Sequence, residues 1–121
     1  MKHNSDFKYD LMIGNIYEEK LSVILSQKKI EIKTDFIAHK TGNIAVEYQC
    51  RGKPSGIATT QADYYAYIIP RANCQDIILL MRVDKLKGLC RQYFKQGAIK
   101  KMGDNDLSVA VLIPINELFM R

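Results

Sequence analysis

The rhythm of apolar and polar positions changes several times along the chain. Over residues 10–26, Ile16, Leu21, Ile24 and Leu25 fall near one helical face, while Glu18, Glu19 and Lys20 are polar. That spacing predicts an amphipathic helix with Asp10 at or just before its first turn. Two runs with a period of two follow. In residues 29–38, Ile30, Ile32 and Thr34 alternate with Glu31, Lys33 and Asp35; in residues 43–50, Ile44, Val46 and Tyr48 alternate with Glu47 and Gln49. A period of two gives a strand with one apolar and one charged face. His39-Lys40-Thr41-Gly42-Asn43 lies between them, with Gly42 free to take a positive φ, so the two runs read as a β-hairpin.

Residues 51–58 carry Gly52, Pro54, Ser55 and Gly56 and read as a loop. Thr59 or Thr60 can cap a short helix over residues 61–63. Residues 64–69 and 76–83 read as strands. Residues 84–96 read as a helix with Leu86, Leu89 and Tyr93 on one side and Gly97 as its stop. A strand over residues 107–113 and a short helical end over residues 116–120 complete the chain. The order predicts one domain over residues 1–121, of α/β or α+β class, with a mixed sheet flanked by helices.

Composition agrees with a folded domain: 121 residues, 47 % of them apolar, suffice for one hydrophobic core. The formal charge of +5 favours a polyanionic partner, nucleic acid first and an anionic membrane surface second. No signal-peptide pattern is visible near Met1, and the apolar run at residues 77–81 is far too short to span a bilayer, so no membrane partner is expected. The three cysteines Cys50, Cys74 and Cys90 are widely spaced, which suits a reducing, intracellular (cytoplasmic) location rather than a disulfide framework. The two histidines, His3 and His39, are isolated and read as surface residues.

The hairpin is where chemistry concentrates. If Lys40-Thr41-Gly42 forms a three-residue loop, Asp35 stands opposite Glu47, Lys33 opposite Gln49 and Glu31 opposite Arg51, all on one face. Directly opposed Cβ atoms lie about 5 Å apart. Two carboxylates that close repel unless a cation sits between them. Mg²⁺ is a natural cation for such oxygen ligands, and with a scissile phosphate it activates water. Lys33 and Gln49 would then orient the water or the phosphate. The same pattern also describes an ordinary solvated sheet face with cross-strand polar pairs.

The segment from Gly14 to Leu25 resembles the first helix of archaeal Holliday-junction resolvases, where a glutamate precedes a leucine-rich half. Thr34-Asp35, then the hairpin, then Val46-Glu47-Tyr48-Gln49 resembles the D-Xn-(D/E)-X-K core of the PD-(D/E)XK nuclease superfamily. Arg51-Gly52-Lys53-Pro54-Ser55-Gly56, with Thr59 to Tyr64 after it, is similar to small phage- or virus-type nucleases of that group. The likeness covers roughly residues 10 to 70.

The resemblance implies a restriction-endonuclease-like fold and a Mg²⁺-dependent DNA endonuclease, with Mn²⁺ as a substitute. It implies metal binding by Asp35 and Glu47, completed by Glu18, with Glu19 in its place if the helix is rotated. Gln49 departs from the lysine usual at that position. Lys33, across the expected hairpin, is a candidate to supply the ammonium. A homodimer is expected because duplexes and four-way junctions are two-fold objects; the tyrosine-rich strand or residues 77–81 would form its interface.

Lys40, Arg51 and Lys53 are candidate phosphate contacts, and Ser55 and Thr60 candidate hydrogen-bond donors to DNA. Surface charge and loop capping explain the same residues equally well. Tyr64, Tyr65 and Tyr67 alternate in a strand, which points to packing more than to base stacking. Lys85, Lys87, Arg91, Lys95, Lys100 and Lys101 form a basic run that reads as a solvated helix face or a DNA track. Two competing functions stand beside the nuclease: a catalytically inactive nucleic-acid-binding module on the same fold, and an interaction protein without a nucleic-acid role.

Overall fold

The structure, a computed structural model, describes residues 3–119, with side chains from residue 6 onward. The side chain of His3 and the expected helical residue Met120 lie outside the described residues. The chain opens with helix α1 (His3–Gln27), which starts earlier than its apolar spacing suggests. Strand β1 (Ile30–Thr34), a single helical turn α2 (Ala38–Thr41) and strand β2 (Asn43–Cys50) follow. Then come β3 (Lys53–Pro54), a 3₁₀ turn (Gly56–Ala58), β4 (Tyr64–Ile69), β5 (Ile77–Arg82) and helix α3 (Val83–Lys95). Strands β6 (Ile99–Met102) and β7 (Ser108–Pro114) close the fold, with 3₁₀ turns at Asp104–Asp106 and Ile115–Phe119.

These elements make a small α+β domain with two sheets rather than one. The first is mixed, in the order β1-β4-β5, with β1 parallel to β4. The second is antiparallel, in the order β3-β2-β7-β6. The expected hairpin between β1 and β2 does not form. β1 pairs with β4, Ile32 beside Ala66, whereas β2 pairs with β3 and β7. The cross-strand pairs Asp35–Glu47, Lys33–Gln49 and Glu31–Arg51 are therefore absent as backbone neighbours.

The reason lies at Asp35. Its Oδ1 accepts the N–H groups of Ile37 and Ala38 at 3.2 and 3.0 Å. A carboxylate at the entry of a turn satisfies donors that a helix start leaves open, so residues 38–41 coil instead of crossing over. Gly42 does take a positive φ of 76°, but it closes this helical turn by donating its N–H to Ala38 O. The true tight hairpin comes next. Arg51 and Gly52, with φ of 53° and 78°, join β2 to β3 and bring Cys50 opposite Lys53.

The short helix expected at residues 61–63 is instead the 3₁₀ turn at Gly56–Ala58. Helix α3 behaves as its pattern predicts. Leu86 and Tyr93 are buried, Leu89 packs against the core, and Gly97 follows the helix with φ of 77°. Its apolar face lies on β7 and β5. The core joins Ile44, Val46, Val111 and Ile113 of the second sheet to Tyr65, Tyr67 and Ile69 of β4 and to Leu86 of α3. Each such side chain contributes about 1.5–3 kcal/mol on burial, so this seam ties both sheets and α3 together.

Among the described residues no helix is long and apolar enough to cross a membrane. All three cysteines are free, Cys74 exposed and Cys90 buried, where burial pushes its thiol up to about 11. His39 is exposed.

Candidate functional site

Residues of both sheets line a cavity of about 420 Å³. Its wall includes Lys33 and Asp35 from the β1 side, Glu47 from β2, Tyr65 and Tyr67 from β4, and Lys100 from β6. Asp35 and Glu47 thus share one cavity although their strands belong to different sheets.

Asp35 is only 8 % exposed. Besides its two bonds to the α2 turn, its Oδ2 accepts the N–H of Ala45 at 3.0 Å. The carboxylate is a rivet between β1, α2 and β2, and about one of its four lone-pair positions is left. Glu47 is held more lightly. The Ser55 hydroxyl donates to Glu47 Oε2 at 2.8 Å, and the Ser55 N–H donates to Tyr48 O at 3.0 Å. Gly56 makes that approach possible. A Cβ added there would stand 2.3 Å from the Glu47 carbonyl oxygen, on a backbone with φ of 54°. Only glycine fits such a contact.

A second polar group adjoins the cavity. Lys33 Nζ lies 2.8 Å from Glu31 Oε2, with both side chains partly exposed. The Thr60 hydroxyl donates to Glu31 Oε1 at 2.7 Å. The Lys33 ammonium and the Thr60 hydroxyl hold the Glu31 carboxyl below the usual carboxylate range. Tyr65 stands beside Glu31 in the parallel register. Its hydroxyl is buried with no hydrogen-bond partner, beside a Thr60 hydroxyl that gives its proton to Glu31. Burial, then the nearby Glu31 charge, pushes the Tyr65 hydroxyl up to about 12. Tyr67 donates to Ala45 O at 2.9 Å, and burial raises its pKa too.

The other expected site residues separate into two groups. Ser55 and Thr60 adjoin the cavity through Glu47 and Glu31, as donors to those carboxylates. Glu18 and Glu19 are exposed on α1 and take no part in the cavity wall. Gln49 is also off the wall. The strand register shifts between Glu47 and Gln49, so these two residues do not share the simple alternation expected of them. Lys40, Arg51 and Lys53 are exposed, the first on α2 and the others at the β2–β3 turn.

Glu31 and Lys100 are participants that the sequence pattern does not single out, whereas Lys33 is an expected site residue that does line the cavity. Glu31 and Lys33 are two residues apart on one face of β1, which is itself a (D/E)-X-K spacing. Lys100 was absorbed into the basic run after α3. It sits on β6 opposite Ala110, which in turn is opposite Glu47, so it shares the Glu47 face two strands away.

Among the described residues no group of three or more His, Cys, Asp or Glu side chains is placed to hold a metal ion. Comparisons with protein-family models, with curated proteins and with solved structures find no match to this chain.

Proposed function

We propose that this chain is a metal-dependent DNA endonuclease on a variant of the restriction-endonuclease-like fold. The observation that carries the reading is the shared cavity: Asp35 and Glu47 face it with Lys33 and Lys100 beside them. Paired carboxylates flanked by ammonium groups suit a phosphodiester, whose charge grows as its bond breaks.

The donor set suits Mg²⁺ or Mn²⁺. Both are hard cations, and Mg²⁺ takes one or two carboxylates while keeping waters and substrate phosphates. Glu47, with a single hydrogen bond in place, would be the principal ligand, and the remaining position on Asp35 the second. When bound, the cation lowers the pKa of water and neutralises charge on the phosphate. Glu18 has no part in this version of the site.

The protein's own groups divide the remaining work. Lys33 is held by Glu31 at the cavity and orients the scissile phosphate, taking the place expected of a lysine at Gln49. Tyr65 stays protonated through the neutral range and offers an uncommitted O–H to a phosphate oxygen or to the attacking water. Lys100 provides a second cation on the Glu47 face, two strands away. The net charge of +5 favours association with DNA.

One observation favours a second reading. Three backbone N–H groups already occupy Asp35, which is what a structural carboxylate needs in a catalytically inactive DNA-binding module. Labelled duplex, single strand, flap and four-way junction incubated with Mg²⁺, Mn²⁺ or EDTA separate the two. Cutting that stops in EDTA supports the nuclease. Salt-sensitive binding that is indifferent to EDTA, without cutting, supports the module.

A further inference from the structure

Two apolar surfaces of this chain lie uncovered. The first is α1. Among its described residues nine large apolar side chains are exposed, Phe7, Leu11, Met12, Ile16 and Leu25 among them, and Ile24 alone is buried. Phe7 and Leu11 follow each other at a spacing of four on one flank, and Met12 and Ile16 do so on another. These apolar side chains lie on more than one side of the helix, with Lys8, Asp10, Glu18, Glu19 and Lys20 between them. So many exposed apolar side chains on one element mark an interaction surface.

The second surface is the outer face of the β1-β4-β5 sheet. In register across it run the rows Ile32–Ala66–Leu80 and Thr34–Ile68–Ile78. No charged side chain lies in either row. Ile32 is 65 % exposed and Ile78 64 % exposed, at the two edges of the face. The core face of the same sheet is covered, through Tyr65, Tyr67 and Ile69. A sheet buries its apolar face against another layer, and here one layer is missing.

The helix does not supply that layer within its own chain. Its exit is pinned at Lys29, whose N–H donates to Asp63 Oδ2 at 3.0 Å and whose carbonyl accepts from Asp63 and Tyr64 at 2.9 and 3.1 Å. Lys28 still belongs to the helical hydrogen-bond ladder, donating to Ile24 O. Only Lys28 and Lys29 separate α1 from β1, and beyond Ile24 the helix leaves Ile32 and Ile78 of its own sheet exposed.

We propose that a second copy of this chain covers the face: two protomers exchange α1, each laying it on the partner's β1-β4-β5 sheet. Exchange about a two-fold axis buries both surfaces twice. A stable interface needs about 800 Å² from each partner. The helix side that carries Phe7, Leu11, Leu21 and Leu25, at on the order of 100 Å² each, supplies about half of that, and the exposed Ile32 and Ile78 face of the same protomer adds to it. The exchange is independent of the proposed chemistry, because neither surface includes a cavity-facing acid.

The test is light scattering on the full chain with two exposed-surface variants, Leu11→Asp with Ile16→Asp on the helix and Ile32→Lys with Ile78→Lys on the sheet. The wild type should be a dimer at micromolar concentration. Each variant alone should be a folded monomer by circular dichroism. Mixing the two should restore a dimer, since one helix–sheet contact is then wild type on both sides. A monomeric wild type, a dimer that the sheet variant leaves intact, or a mixture that stays monomeric would each overturn the proposal.

Discussion

The N–H of Ala45 donates to Asp35 Oδ2 at 3.0 Å, and this bond fastens the first sheet to the second at the mouth of the cavity. Asp35 is therefore more than a ligand. Replacing it by Ala leaves three backbone donors without their acceptor. Hydrogen bonds to a charged group contribute about 1.5–3 kcal/mol each and are not additive. Asp35→Ala should lower stability by about 3 kcal/mol, read as a shifted urea midpoint at unchanged slope. A residue that only held a metal would show no such loss in metal-free buffer.

Tyr65 predicts the opposite pattern. Its hydroxyl is buried without a partner, so removing the oxygen relieves an unsatisfied group. Tyr65→Phe should melt at or slightly above the wild-type temperature. DNA cleavage should fall by about tenfold or more, the effect of one lost donor at a developing charge. Paired measurements of melting and cleavage check it; a destabilised variant with normal cleavage would remove Tyr65 from the site.

The Lys33–Glu31 pair makes a prediction about pH. The folded-state pKa of Glu31 is lowered, chiefly by Lys33 and then by Thr60. A depressed carboxylate adds stability above its unfolded value of about 4.3 and loses it as pH falls through the folded value. Both side chains are partly exposed, at 39 % for Lys33 and 33 % for Glu31, so the contribution stays below about 1 kcal/mol. The stability gap between wild type and Glu31→Gln should thus be present at neutral pH and close under acid conditions. Urea titrations at neutral and acid pH measure it.

The lysines can be ranked by substitution. Lys33→Met should reduce cleavage by about a hundredfold and Lys100→Met by less, if the first holds the phosphate and the second only screens it. Gln49→Lys should restore nothing, because Gln49 is not on the cavity wall. A large gain from Gln49→Lys would return the motif to β2.

Much of the fold was legible in the alternation of side chains. The bounds of β4 match residues 64–69, and α3 and β7 lie within a residue of their expected limits. The mistake at residues 35–43 was informative. Gly42 carries the positive φ that a hairpin loop needs, and a helical C-terminus needs the same angle. What decided between them was Asp35, a side-chain acceptor acting on backbone donors two and three residues ahead. Register arithmetic cannot see that competition. β6 was lost for a different reason. Its Ile-Lys-Lys-Met carries no period-two pattern, and it owes its strand to pairing with β7.

The candidate site fared likewise. Asp35 and Glu47 do share a cavity, but through the meeting of two sheets rather than across a hairpin. Glu18 was placed by resemblance alone, and α1 does not carry it to the cavity wall. Lys33 was expected across from Gln49, and it stands instead beside Glu31 on its own strand.

The most direct test of the central claim uses Glu47, because its side chain has one hydrogen bond and so little structural duty. Cleavage of the DNA panel should be compared for wild type and Glu47→Gln in Mg²⁺ and in EDTA, with melting temperature recorded for both. The account predicts metal-dependent cutting that falls by about a hundredfold or more in the variant while its melting temperature barely moves. Absence of cutting by wild type on every substrate, under Mg²⁺ and Mn²⁺ alike, would contradict it.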